Sequence, residues 1–194
     1  MPNLYIIAGC NGAGKTTASY TILPEILNCK EFVNADSIAA GLSPFNPESV
    51  SFESGRIMLH RINQLIDERI DFAFETTLAT RSYTSFIKRA QANGYEVTLL
   101  FFWLHSPELA TERVAERVRK GGHNIPVDVI KRRYYRGIFN LLNLYIPICN
   151  NWIVVNNVYI QPVMIAQGGF LTETMIEKAD IWEVIRIQSK QHGK

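Results

Sequence analysis

Short, mostly apolar runs alternate along the chain with longer stretches whose apolar residues recur every three or four positions. "LYIIAG" reads as a buried strand, and "GKTTASYTI" as the start of the helix behind it. "EFVNAD" reads as a second short strand with a polar end. Turn chemistry in "SPFNPE" leads into a helix whose spacing brings Ile57, Met58, Arg61, Ile62, Leu65 and Ile66 together. "DFAFETT" is a third strand, and "TRSYTSFIKRAQANG" a helix closed by Asn93 and Gly94. "YEVTLLFFWL" is the longest continuous apolar run, which predicts a central strand buried on both faces. A helix follows, with Ser106 as N-cap and Pro107 in its first position, and "GGHNIP" breaks it. "VDVIKRRYYRGIFNLLNLYI" is a further helix, ending before Pro147. "WIVVNN" and "VYIQPVMIAQGG" read as a strand pair or as a strand and an edge strand, and an amphipathic helix over about 172–190 closes the pattern. Strands alternating with helices predict an α/β fold with a mainly parallel sheet and helices on both faces.

Composition narrows the function. The chain has 194 residues, 47% of them hydrophobic and 20% charged, which predicts a single domain over 1–194. A formal net charge of +2 gives no argument for nucleic acid. No apolar stretch approaches the roughly 20 residues that span a bilayer, and the N-terminus has no basic segment before an apolar one. Cys10, Cys29 and Cys149 are odd in number and widely spaced, as expected of free thiols in a reducing cytoplasm.

The stretch "AGCNGAGKTT" carries the first chemistry. Gly9, Gly14, Lys15 and Thr16 fit G-x-x-x-x-G-K-[ST] between a strand and a helix. Glycines there let successive backbone N–H groups turn toward a phosphate, and the helix N-terminus adds partial positive charge. Lys15 is expected on the β and γ phosphates of ATP or GTP, and the Thr16 hydroxyl on Mg²⁺. Asn11, Gly12, Ala13 and Thr17 complete the expected nucleotide contacts. Cys10 fills a variable loop position; a redox role is the alternative, because a helix N-terminus lowers a thiol pKa.

The acceptor of the phosphate is read from three further features. Asp36 ends the "FVNAD" strand, where ligand crevices of open α/β sheets lie. It could accept a hydroxyl proton, or it could cap the following helical turn. Glu75 ends "DFAFET" as a Walker-B-like acid near Mg²⁺, with Thr76, Thr77 and Arg81 at the same rim. Asp36 and Glu75 can exchange roles at this level. Arg113 and Arg117, at i and i+4, share a helix face, and Arg119 and Lys120 lead into the glycine break. Arg132, Arg133 and Arg136 follow. Arginines suit the charge that phosphoryl transfer spreads over the moving group. A Gly-Gly hinge beside them reads as a lid over about 113–136, with His123 as a structural lid residue. The competing readings are a solvated helix pairing with Glu112 and Glu116, and an RNA-binding patch.

Together "GCNGAGKTT", "NAD", "FNPESVSFESGR", "FAFETTLATR", "GYEVTLLFFWL" and "RVAERVRKGGHNIP" with "RRYYRG" resemble the zeta-toxin family of P-loop kinases, over roughly residues 4 to 167. The resemblance implies a parallel sheet of order 2-3-1-4-5, like that of adenylate and shikimate kinases. It implies that Asp36 activates the acceptor hydroxyl and that Glu75 and Thr77 contact the substrate. It also implies that Arg113 packs on adenine, that Arg117 or Arg119 is the lid arginine, and that Asn156 and Asn157 flank the adenine. The best-known members phosphorylate a UDP-N-acetylamino sugar and are held in check by an antitoxin protein. This chain is shorter than those prototypes, so a nucleoside, antibiotic or simple-sugar acceptor stays open beside the UDP-sugar. A non-kinase ATPase of the ABC type would need an LSGGQ-like signature, to which "LSPFNP" is the nearest match. A nucleotide-gated binding protein would need only the loop.

Overall fold

The computed structural model describes residues 1–122, 124–158 and 161–191. His123, read above as a lid residue, lies outside them.

Seven strands form one sheet in the order β2-β3-β1-β4-β5-β6-β7. They are β1 (Asn3–Gly9), β2 (Glu31–Val33), β3 (Phe72–Thr76), β4 (Glu96–Trp103), β5 (Asn151–Asn156), β6 (Val163–Gly169) and β7 (Met175–Ile176). The first five strands are parallel in the expected 2-3-1-4-5 order, while β6 and β7 add antiparallel. "YEVTLLFFWL" supplies β4, the middle strand of the seven. Its first half alternates in burial and only Phe101, Phe102 and Trp103 form a continuous buried run, so the two-sided burial begins where the strand nears the site.

Among the described residues seven α-helices accompany the sheet: α1 (Lys15–Thr21), α2 (Ala35–Leu42), α3 (Ser51–Glu68), α4 (Tyr83–Ala92), α5 (Pro107–Arg119), α6 (Val127–Asn140) and α7 (Ala179–Ser189). The side chain of Ser106 caps α5, accepting from the Leu109 N–H at 3.2 Å, as its position before Pro107 predicts. Met58, Ile62, Leu65 and Ile66 form the buried face of α3, but Ile57 turns outward and Arg61 pairs with Glu31.

Two helix boundaries differ from the pattern. The helix expected to run to Pro147 leaves α geometry after Asn140 and continues as a π turn over Leu141–Tyr145. Pro147 then sits at the start of a 3₁₀ turn, where its missing N–H costs nothing. The closing helix, expected from about 172, starts at Ala179, because Met175 and Ile176 pair with β6 instead. No helix among the described residues is long and apolar enough to cross a membrane.

Candidate active site

Parallel pairing brings the carboxyl ends of the central strands to one edge: Ala8 stands beside Thr76, Gly9 beside Phe102, and Trp103 beside Asn156. A cleft of about 940 Å³ opens beyond this edge, where ligands of open α/β sheets bind.

The loop between β1 and α1 forms its floor. Asn11, Gly12, Gly14, Lys15, Thr16 and Thr17 line the cleft. Gly9 and the fully buried Ala13 lie beneath the loop, outside that lining, so their part is to shape it. Gly14 has φ +80°, and a Cβ there would come within 2.6 Å of the Asn157 side chain. That side chain donates to the Ala13 carbonyl at 2.6 Å. Asn157, expected beside adenine, therefore braces the phosphate loop from behind; neither it nor the buried Asn156 lines the cleft. Arg113 lines the cleft while its guanidinium donates to the carbonyls of Asn157 and Val158 at 2.9 and 2.8 Å.

Glu75 is the hub of the charged floor. The Thr16 hydroxyl donates to its Oε2 at 2.7 Å, the Asn34 amide donates to the same oxygen at 2.8 Å, and Lys15 Nζ lies 3.5 Å from Oε1. Lys15 Nζ also donates to the Cys10 carbonyl at 3.0 Å. Asp36 stands apart, exposed in the first turn of α2 and lining the cleft. It is not the cap: Asn34 Oδ1 accepts from the Asp36 and Ser37 N–H groups at 2.8 and 3.1 Å. The two carboxylates thus have different surroundings: Glu75 is bonded to the Lys15–Thr16 pair, and Asp36 is exposed where it lines the cleft.

Arginines form the opposite wall. Arg117 lines the cleft with Arg113, one helical turn apart as their spacing requires. Arg119, two residues further round α5, is exposed and outside the lining, so of the two arginines considered for the lid only Arg117 reaches the cleft. Arg132, Arg133 and Arg136 project into it from α6. Arg133 is half-buried and donates to Asn11 Oδ1 at 3.4 Å; burial lowers its pKa, and the Asp36 carboxylate works against that shift. Glu116 pairs with Lys120 at 2.9 Å instead of with an arginine. The Gly121–Gly122 pair, expected to be a hinge, closes α5: the Gly121 N–H donates to Val118 O and the Gly122 N–H to Arg117 O, each at 2.9 Å.

Thr77 also lines the cleft, with Met58 and Tyr83 as an apolar part of the lining. Arg81 is exposed outside it, because the chain turns away after Thr80. Sequence reasoning missed Asn34, Met58 and Tyr83. Only Asn34 carried a signal, an Asx residue between a strand and a helical turn.

The thiols are structural. Cys10, Cys29 and Cys149 are buried and unpaired. Loss of solvent pushes Cys10 and Cys29 up from 9.0 to about 11 and Cys149 to about 12; at Cys10, Lys15 and Arg113 offset only part of that rise. The helix-end depression entertained for Cys10 is therefore overturned by desolvation. Raised folded values stabilise the native state fully below the unfolded value of 9.0, and this stabilisation is lost as pH rises toward the folded values. Native protein at about pH 8 should react only slowly with iodoacetamide, and denatured protein at all three thiols. A rapidly alkylated Cys10 in native protein would contradict the burial.

The donor set fits a nucleotide and a hard cation. Thr16 and Glu75 offer adjacent oxygens, and Mg²⁺ takes one or two protein oxygens and fills its shell with water and phosphate.

A family model described as Zeta toxin matches residues 1–143. An uncharacterized protein of Haemophilus influenzae is 31% identical over 126 residues, 65% of this chain and 88% of its own. The AvrRxo1-ORF1:AvrRxo1-ORF2 complex matches with TM-scores of 0.79 with sulphate ions and 0.76 with ATP, at 19% and 20% identity over 98% of this chain. The chain spans only 65% and 64% of the matched chains' length. The PezAT chromosomal toxin-antitoxin system of Streptococcus pneumoniae gives 0.65 at 15% identity, over 98% of this chain and 86% of the other.

Proposed function

This chain belongs to the zeta toxin family, and on that footing we propose that it is a Mg²⁺-dependent kinase that moves the γ-phosphate of ATP to a hydroxyl of a small molecule, with a UDP-N-acetyl sugar as the foremost candidate. The observation that carries this reading is the separation of the two carboxylates. One is bonded to the lysine and threonine of the phosphate loop, and the other is free of that cluster and faces an arginine wall. A proton acceptor apart from the acid beside Lys15 and Thr16 suits transfer to a hydroxyl.

Asp36 takes the proton of the acceptor hydroxyl, whose oxygen then bonds the γ-phosphorus as the bond to the β-phosphate oxygen breaks. Lys15 holds charge on the β and γ phosphates. Arg117 and Arg133 lie where they would offset charge on the moving group, Arg133 being tied to the loop through Asn11. Thr16 and Glu75 would hold Mg²⁺, whose charge would offset that of the phosphates. Arg113 holds the 157–158 segment and so shapes the nucleotide end of the cleft. Thr77, Met58 and Tyr83 give the acceptor side a polar and an apolar contact. The buried thiols suit a reducing cytoplasm. One matched structure is a complex with AvrRxo1-ORF2 and another concerns the PezAT toxin-antitoxin system, which supports an antitoxin as partner here.

The test is transfer from Mg·ATP to UDP-N-acetylglucosamine, other UDP-sugars, nucleosides and simple sugars, read by product mass. A phosphorylated UDP-sugar is expected. Product from another acceptor would keep the kinase and discard the sugar nucleotide, and ATP hydrolysis alone, equal in an Asp36→Asn variant, would overturn the reading.

A further inference from the structure

The turn that follows β3 is held in an unusual conformation from outside itself. Leu78 has φ +57°, although it is a bulky residue and fully buried. Among the described residues only Asn28 and Arg69 share a positive φ without being glycine; Asn tolerates it, and Arg69 ends helix α3. Such strain persists only where the surroundings impose it.

The surroundings here are one helix. Asn140, at the end of α6 and 1% exposed, donates its Nδ2 to the Leu78 carbonyl at 2.6 Å. A carbonyl can only accept, so this bond fixes which way the amide points. Its Oδ1 is then buried with no hydrogen-bond partner among the described residues. One turn earlier, Gly137 lets α6 press against the neighbouring residue: a Cβ there would lie 2.6 Å from the Thr77 carbonyl oxygen. One turn later, in the π segment, the Tyr145 hydroxyl donates to the Thr80 carbonyl. Within the turn, the Leu78 N–H donates to the Thr76 hydroxyl at 3.0 Å and the Ala79 N–H to the Thr77 hydroxyl at 3.4 Å. The Thr77 hydroxyl therefore has a lone pair engaged behind it and a proton left to donate into the cleft it lines. The same helix carries Arg132, Arg133 and Arg136 into that cleft.

We propose that Asn140 is a positioning residue for the acceptor: by holding Leu78 in its left-handed conformation it aims the Thr77 hydroxyl, and it ties that aim to the arginines of α6. The proposal rests on the kinase reading above and adds a residue far from the phosphates to it. A buried amide with an unpaired oxygen is a cost to the fold; the structure returns a fixed substrate turn for it.

The experiment measures KM for ATP and for whichever hydroxyl acceptor the wild type uses, with thermal unfolding as control, in Asn140→Ala, Asn140→Asp and Gly137→Ala. Asn140→Ala and Gly137→Ala are expected to raise the acceptor KM about tenfold with KM for ATP unchanged, since each disturbs the turn and neither touches the phosphate loop. Asn140→Asp has the same shape and keeps a donor only while protonated, so its acceptor KM should rise with pH where the wild type's does not. A purely structural role would lower the folded fraction and move neither KM. An unchanged acceptor KM in a folded variant, or a flat pH profile in Asn140→Asp, sinks this proposal alone. No transfer by the wild type to any acceptor sinks the kinase reading and this with it.

Discussion

An Asp36→Asn protein is expected to bind ATP as the wild type does and to transfer phosphate about 10²–10⁴-fold more slowly, the usual contribution of a positioned base. The substitution is clean for structural reasons. Helix α2 is capped by Asn34, which accepts from the Asp36 and Ser37 backbone N–H groups, and those bonds do not depend on the side chain at 36. Asp36 is exposed, so an isosteric amide neither opens a cavity nor strands a buried partner. The phosphate loop keeps Glu75, Lys15 and Thr16 in their mutual contacts. Only proton acceptance and one charge facing Arg133 are removed. Single-turnover transfer with saturating acceptor, beside an equilibrium titration of ATP, separates the two effects. Wild-type transfer rates in this variant would take Asp36 out of the mechanism.

Much of this site was written locally. The phosphate loop is nine contiguous residues whose glycines and lysine have one good use, and Arg113 and Arg117 share a face because a helix turns every 3.6 residues. The same arithmetic, applied further, separates Arg119 from the cleft: two more residues carry it about 200° round the helix. The mainly parallel sheet was legible in the alternation of strands and helices, whereas its 2-3-1-4-5 order was legible only through the resemblance, since periodicity cannot rank strands in a sheet.

What stayed hidden depends on residues distant in sequence. Asn157 reaches the Ala13 carbonyl across 144 positions, and Asn140 reaches Leu78 across 62. No local pattern announces such a bond, and an asparagine after a strand reads equally well as a ligand contact. Two glycines after a helix suit a hinge and a C-cap alike, and the bonds to Val118 and Arg117 reveal the cap. Cys10 illustrates a competition of magnitudes: burial pushes its pKa up further than Lys15, a backbone hydrogen bond and Arg113 pull it down.

Glu75→Gln is expected to lose both activity and stability, and the pattern of recovery should tell the two apart. The carboxylate receives three donors: Thr16 and Asn34 on Oε2, and Lys15 beside Oε1, with Lys15 only 6% and Glu75 11% exposed. An amide has one oxygen to offer. With that oxygen at the Oε2 position its NH₂ faces the Lys15 ammonium, donor against donor; turned over, it faces the Asn34 amide instead. Either way a buried donor loses its acceptor, at a cost of about 1–3 kcal/mol, which corresponds to about 2–4 °C of Tm per kcal/mol in a chain of this size. Activity should fall about 10²–10³-fold, the scale of losing one preorganised charge contact, and the Mg²⁺ concentration needed for half-maximal transfer should rise. Adding Lys15→Met removes the stranded ammonium. The double variant should therefore regain part of the lost Tm while its transfer falls further, because the phosphate ligand is gone as well. Recovery of stability without activity ties Glu75 to Lys15 as a buried pair and to the reaction separately. A Glu75→Gln protein with wild-type Tm and wild-type transfer would remove Glu75 from both roles.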